Sequence, residues 1–104
     1  MKFKEGMNIE EKLSALQRIV LVHSNIYYRL NKNIISDKEY DTLCKLLVSR
    51  QNKYKESFKD TDYYYVFYDF DGTTGFDLYY RLKKKDRDKI NNITQVILKR
   101  KGEK

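Results

Sequence analysis

The stretch His23–Leu47, HSNIYYRLNKNIISDKEYDTLCKLL, contains a helix end, a loop and a helix start, and the rest of the chain must pack around it. Ser36 and Glu39 have the spacing of a capping box, in which each side chain accepts a hydrogen bond from a backbone amide at a helix N-terminus. Ile35 before the cap and Tyr40 four residues after it match a hydrophobic staple. The spacing therefore predicts a helix opening at Asp37.

Upstream, Asn8 with Glu11 offers a second helix start. Ile9, Leu13, Leu16, Val20, His23, Tyr27 and Leu30 then recur at alternating steps of four and three, one continuous apolar stripe. This predicts a helix from about Ile9 to Leu30, with His23 half-buried and hydrogen-bonded, ended by the turn-tolerant Asn31-Lys32-Asn33. Downstream, Tyr40, Leu43, Leu47 and Tyr54, widened by Leu46 and Val48, carry the second helix to near Glu56. Two helices joined by a short loop pack antiparallel. The hairpin, residues 9–56, gathers Tyr27, Tyr28, Asp37, Tyr40 and Asp41 at one end.

The second half changes period. Asp62–Phe70, DYYYVFYDF, is dense in β-formers, and Phe76–Leu82, FDLYYRL, alternates apolar with polar residues. Between them, Asp71-Gly72-Thr73-Thr74-Gly75 supplies residues suited to a hairpin loop. A β-hairpin over 62–82 is expected, packed on the helices because two strands alone are marginal in water. In the last segment, 86–101, Ile90, Ile93 and Ile97 have helical spacing while Thr94–Leu98 also suits a strand; a helix from about Asp86 to Arg100 is preferred. The expected fold class is α+β: an antiparallel helical hairpin, a β-hairpin and a basic C-terminal helix or strand, in a single domain, 1–104.

Hydrophobic residues make up 40% of the 104, including ten Tyr and five Phe, a folding composition with an aromatic core. No run approaches the length that spans a bilayer, and MKFKEGMNIEE lacks the apolar core of a signal peptide, so a cytoplasmic protein is expected. The single Cys44 has no intramolecular disulfide partner and is read as a small buried residue. No Cys/His cluster suggests zinc, so no structural metal is expected. Lys83–Lys104 holds nine Lys or Arg against three Asp or Glu, and so carries six of the seven net positive charges. Such a block meets phosphates or an acidic protein surface, or is a solvated tail; composition leaves both open. No nucleophile, base and orienting group can be assembled, and Gly72 and Gly75 do not precede a helix as a phosphate cradle would.

Tyr27-Tyr28, a short loop, then Ile35-Ser36-Asp37-Lys38-Glu39-Tyr40-Asp41-Thr42-Leu43 resembles the N-terminal helical domain of bacterial NAD-dependent DNA ligases. In that family a Tyr-Tyr or Tyr-His pair precedes an I-S/P-D-x-E-Y-D sequence. The resemblance covers roughly Ile9–Tyr54, and its specific part is Tyr27–Leu43. It implies a domain that holds the nicotinamide mononucleotide (NMN) half of NAD, with Tyr27, Tyr28, Asp37, Tyr40 and Asp41 as contacts. The chemistry fits: a flat cationic ring is attracted to tyrosine faces, and carboxylates accept hydrogen bonds from ribose hydroxyls. The family's nucleophilic Lys-x-Asp-Gly motif has no counterpart, since Asp69-Phe70-Asp71-Gly72 carries Asp in the lysine's place. No zinc module or helix-hairpin-helix region follows.

A non-catalytic binding protein is therefore expected, requiring no cofactor and carrying NMN or NAD as a potential ligand. Its size, its Lys/Asn/Tyr/Ile-rich composition and the ligase-like fragment resemble a phage or mobile-element protein that inhibits a host defence or replication enzyme, in the manner of anti-CRISPR proteins. The partner would be a host protein or ribonucleoprotein, met through Lys83, Lys84, Lys85, Arg87 and Arg100 with the outward tyrosines Tyr64 and Tyr79. Two alternatives remain: the NMN- or NAD-binding subunit of a split ligase or other NAD-using enzyme, and a nucleic-acid-binding protein acting through the basic C-terminus.

Overall fold

The computed structural model describes residues 6–73 and 75–101. Its elements are helical: α1 (Ile9–Ser24), continued by a π-helical turn (Asn25–Arg29); α2 (Asp37–Lys53); three short pieces, α3 (Lys55–Lys59), α4 (Tyr64–Phe67) and α5 (Leu78–Arg81); and α6 (Lys84–Arg100). Both capping boxes form. The Glu11 amide donates to Asn8 Oδ1 at 2.8 Å and the Glu39 amide to Ser36 Oγ at 3.0 Å, each returned by the glutamate carboxylate. Each cap contributes on the order of 1 kcal/mol and sets where its helix starts.

α1 and α2 pack antiparallel. Leu13 and Leu16 line a groove with Leu46, Arg50 and Tyr54 at one end, while His23 and Tyr27 meet Ser36 and Asp37 at the other. α6 covers a second side of α1, where Ile93 and Ile97 face Ala15, Ile19 and Val22. Contact on several sides explains why three consecutive residues, Val20, Leu21 and Val22, are all buried, which one amphipathic stripe would not produce. Buried amide side chains tie the elements together, while the buried Arg18 Nε has no hydrogen-bond partner among the described residues. Gln17 donates to Gln51 Oε1 at 3.0 Å and Thr61 Oγ1 at 2.9 Å, and accepts from the Tyr63 amide at 3.2 Å, tying α1 to α2 and to the entry of α4.

The α+β expectation is overturned, because residues 62–82 contain no strand among those described. The physical reason lies in their spacing. Tyr63, Val66 and Phe67 are buried and Phe70 is partly so, the i, i+3, i+4, i+7 pattern of a helical face. Burying Phe67 alone is worth about 2–3 kcal/mol, more than the roughly 1 kcal/mol span of β-propensity. The expected hairpin loop is instead laid against α2. Asp71 accepts from the amide and hydroxyl of Thr73 at 3.0 and 2.6 Å, and Gly72, at φ 89°, rests on Val48 and the Cys44 carbonyl. Thr74 of that loop lies outside the described residues. Arg81 then holds α4 and α5 together, donating to the Val66 carbonyl at 3.0 Å and to Asp69, and pairing with Asp77 at 3.0 Å.

Boundaries also shift. The second helix stops at Lys53 rather than near Glu56, because Tyr54, at φ −119° and ψ 57°, breaks the ladder before α3 resumes it. The C-terminal element is a helix, beginning at Lys84.

Candidate nucleotide-binding site

The site is organised by the π-helical turn. Continuing the α1 stripe would carry Tyr27 into the core. The wider turn rotates the chain, so that Ile26 is buried instead, Tyr27 is half-buried and Tyr28 is 40% exposed. Asn25 anchors the turn. Fully buried, it donates to Asn91 Oδ1 and Thr94 Oγ1, both at 3.1 Å, and accepts from Arg29 Nε at 2.6 Å. Asn31, at φ 55°, then adopts the left-handed conformation that asparagine tolerates and turns the chain toward α2.

Across the loop, the Ser36 cap sets Asp37 at the first position of α2 and Tyr40 one turn further in. Tyr27 and Asp37 line the same crevice, and the nearby Asp37 carboxylate raises the tyrosine pKa because it favours the neutral hydroxyl and ionisation would place two negative charges side by side. The three rings form one cluster. Tyr27 meets Tyr28 edge-on at 4.7 Å and lies nearly parallel to Tyr40 at 6.2 Å, with Tyr28 edge-on to Tyr40 at 6.2 Å.

Tyr40 belongs to the interior. It is 7% exposed, its hydroxyl is bonded to Ser24 Oγ at 2.5 Å, and burial pushes its pKa far up. A side chain at Gly75 would collide with that hydroxyl, so Gly75 closes over it. Asp41 pairs with Lys45 at 2.9 Å on the surface of α2. His23, half-buried beneath Tyr27, has its pKa lowered by desolvation, partly countered by Glu39. Cys44 is fully buried and its thiol pKa is raised by that burial. The crevice among His23, Ile26, Tyr27, Lys32, Ile34, Ile35, Ser36, Asp37 and Tyr40 measures only about 10 Å³, room for one water at most. The chemically accessible part of the cluster is therefore its outer face, made by Tyr28, the edge of Tyr27 and Asp37.

Of the five residues from the sequence motif, Tyr27, Tyr28, Asp37 and Tyr40 come together at one end of the hairpin, with Tyr40 turned inward, while Asp41 is held by Lys45 on the surface of α2. The basic set belongs to another element. Lys83 stacks over the Tyr65 ring at 4.8 Å, Lys84 pairs with Asp88 at 2.8 Å, Lys85 and Arg100 are exposed, and Arg87 is half-buried. Tyr64 packs edge-on against Phe58 at 4.9 Å, and Tyr79 accepts from Asn91 at 2.9 Å beneath the Arg29 guanidinium at 4.6 Å. Both rings are half-buried packing groups more than outward contacts. Sequence reasoning missed Asn25 and Gln17; the available signal was an amide residue inside an apolar helical run. Among the described residues no three His, Cys, Asp or Glu side chains gather as for a metal ion, and no helix is long and apolar enough to cross a membrane.

An all-helical domain with an aromatic and acidic cluster at a helical-hairpin end is what the fold and site define. Part of the chain is similar to DNA ligases. It is 40% identical over 47 residues to the DNA ligase of Buchnera aphidicola subsp. Acyrthosiphon pisum (strain 5A), a match covering 45% of this chain and 7% of that ligase. It is 45% identical over 49 residues to the DNA ligase of Petrotoga mobilis (strain DSM 10674 / SJ95), covering 47% of this chain and 7% of the ligase. The chain thus spans only a small fraction of either relative. No family model and no solved structure matches it.

Proposed function

We propose that this chain is a non-catalytic binding protein whose helical-hairpin end recognises an NMN-type ligand, as free NMN or as the NMN half of NAD. The observation that carries the reading is the meeting of Tyr27, Tyr28 and Asp37, through the π-helical turn and the capped start of α2. The partial likeness to two DNA ligases supports it, over a length comparable with the α1–α2 hairpin. A cationic nicotinamide ring stacks on the exposed Tyr28, ribose hydroxyls donate to the Asp37 carboxylate beside Tyr27, and Lys32, which lines the crevice, faces the phosphate. Tyr40 supports the rings from behind. Because the crevice is closed, the ligand lies on the outer face, and its affinity is lower than in an enclosing pocket. Isothermal titration with NMN and with NAD tests this. Heat should be lost in Tyr28→Ala and Asp37→Ala and kept in Asp41→Ala, whose carboxylate is engaged by Lys45. No heat from either ligand at millimolar concentration would remove the reading.

A second reading, a phage-type antagonist of a host defence or replication enzyme, is favoured by Tyr68 and Phe76, large rings left 60% and 59% exposed. Nick sealing by a bacterial NAD-dependent ligase gives one direct trial. Undiminished sealing with the purified chain in excess would sink the ligase-directed form of this reading.

A further inference from the structure

The groove between α1 and α2, at the end of the hairpin away from the tyrosine cluster, measures about 550 Å³. Two facing stripes build it. Ile9, Leu13 and Leu16 recur at steps of four and three on α1, and Leu46, Arg50 and the cap residue Tyr54 recur at steps of four on α2, so each helix turns one face into the groove. Leu13 and Leu16 form its floor and are buried, while Ile9 and Leu46 stand at its mouth, 37% and 40% exposed. The chain leaves the α2 path at Tyr54, and no described residue beyond it lines the groove. The apolar side chains in it therefore stay open to any ligand that would take them out of water.

The rim of this groove is cationic. Lys12 on α1 and Arg50 on α2 both line it, one on each wall, and neither side chain has a hydrogen-bond or ion-pair partner among the described residues. Glu11, the acid next to Lys12, is turned back onto the Asn8 amide at 3.3 Å in its capping box and does not neutralise it. Both cations are exposed, so their stems run along the apolar walls while their heads stand at the water edge. At the outer end the Lys53 ammonium lies 5.3 Å over the Tyr54 ring and adds a third positive charge. An apolar floor under unneutralised cations selects an anion with an apolar body and disfavours a cation of the same shape.

We propose that this groove binds a small amphipathic anion, a medium-chain fatty-acid-type carboxylate, with its acyl chain on Leu13, Leu16 and Leu46 and its carboxylate between Lys12 and Arg50. Size decides for a small molecule over a protein. At about 1.5 Å of rise per residue, Ile9 to Leu16 spans about 11 Å and Leu46 to Tyr54 about 12 Å, two helical turns. A stable protein interface takes about 800 Å² from each partner, more than two turns of groove supply, whereas the volume falls within the roughly 300–1,000 Å³ of small-molecule sites. A polyanion is disfavoured, because its further charges would be desolvated against leucines without a partner. The groove lies at the opposite end of the hairpin from Tyr27, Tyr28 and Asp37, so this inference is independent of the NMN reading.

NMR titration of the isotope-labelled chain with octanoate, octanol and octylammonium, followed by backbone amide shifts, tests the proposal. Octanoate should give saturating shifts confined to residues 9–16 and 46–54, with a Kd on the order of 1 mM for so small a ligand. Octanol should bind about tenfold more weakly, and octylammonium should not bind. The double variant Lys12→Gln/Arg50→Gln should weaken octanoate about tenfold and leave octanol unchanged, whereas Leu46→Ser should weaken both. All three side chains are exposed, so the variants fold, which their unliganded spectra verify. The proposal is overturned by no saturating shift at about 10 mM octanoate, by shifts spread over the whole chain, by octanol binding as tightly as octanoate, or by a double variant that binds like the parent. It is equally overturned if sedimentation shows a dimer that Leu46→Ser dissolves, since a second copy of the chain then fills the groove.

Discussion

Truncating Asn25 to alanine tests the link between the buried core and the hairpin-end site. The parent side chain makes two buried hydrogen bonds as donor, to Asn91 Oδ1 and Thr94 Oγ1, and accepts one from Arg29 Nε. Its partners keep other bonds: Asn91 Oδ1 still accepts from Arg29 Nη2 at 3.0 Å, the Thr94 hydroxyl still donates to the Ile90 carbonyl at 2.7 Å, and Arg29 reaches water. The heavy cost of orphaned buried groups is thus mostly avoided. What remains is about 1 kcal/mol for each buried bond and about 1 kcal/mol for the small cavity, about 3 kcal/mol in all. Against a typical 5–15 kcal/mol of total stability, this lowers Tm by about 12–24 °C for a domain of this size. Thermal unfolding followed by circular dichroism gives the number. Because the π-helical turn sets Tyr27 and Tyr28, NMN binding should also fall, although Asn25 cannot touch a ligand. A variant melting within about 2 °C of the parent, with the tyrosine pair undisturbed by NMR, would refute the reasoning.

Gln17→Ala should cost more than Asn25→Ala, about 4 kcal/mol by urea unfolding, because the Tyr63 amide and Gln51 Oε1 lose the partner they have in the core. Ser36→Ala removes one side of the second capping box and should cost about 1 kcal/mol, a Tm decrease of about 4–8 °C. His23 has a folded-state pKa lowered below 6.5 by burial, so the fold favours its neutral form. Its stabilising contribution is complete above that value and is lost as pH falls through the folded pKa; urea midpoints measured downward from neutral pH should show this decline, and His23→Gln should abolish that part of it.

The helical hairpin was legible because its signals are local. Asn8 with Glu11 and Ser36 with Glu39 each satisfy amides within one turn, so four residues suffice to place a helix start, and both caps form where the spacing puts them. The ends were less legible. Tyr54 breaks α2 through a backbone conformation that no residue near it announces, and the π-helical turn depends on Asn91 and Thr94, more than sixty residues downstream of Asn25. That Tyr40 turns inward to Ser24 beneath Gly75 was not legible, because Ser24 and Gly75 lie far from it in the chain.

The segment 62–82 shows where local reading fails. Its tyrosines, valine and phenylalanines favour strands by propensity, yet the same letters place Tyr63, Val66, Phe67 and Phe70 on one helical face. A run this short satisfies both periods, and the choice falls to whichever surface can receive the side chains. Here α1, already buried on several sides, and the Arg81 contacts to Val66, Asp69 and Asp77 accept two short helical turns and leave no partner strand. Sequence by itself determined the capped helix starts of the hairpin, and it preferred the C-terminal helix without excluding a strand there. Tertiary structure decided the all-helical class, the rotation that exposes Tyr28, and the closure of the crevice, because each depends on contacts between residues far apart in the chain.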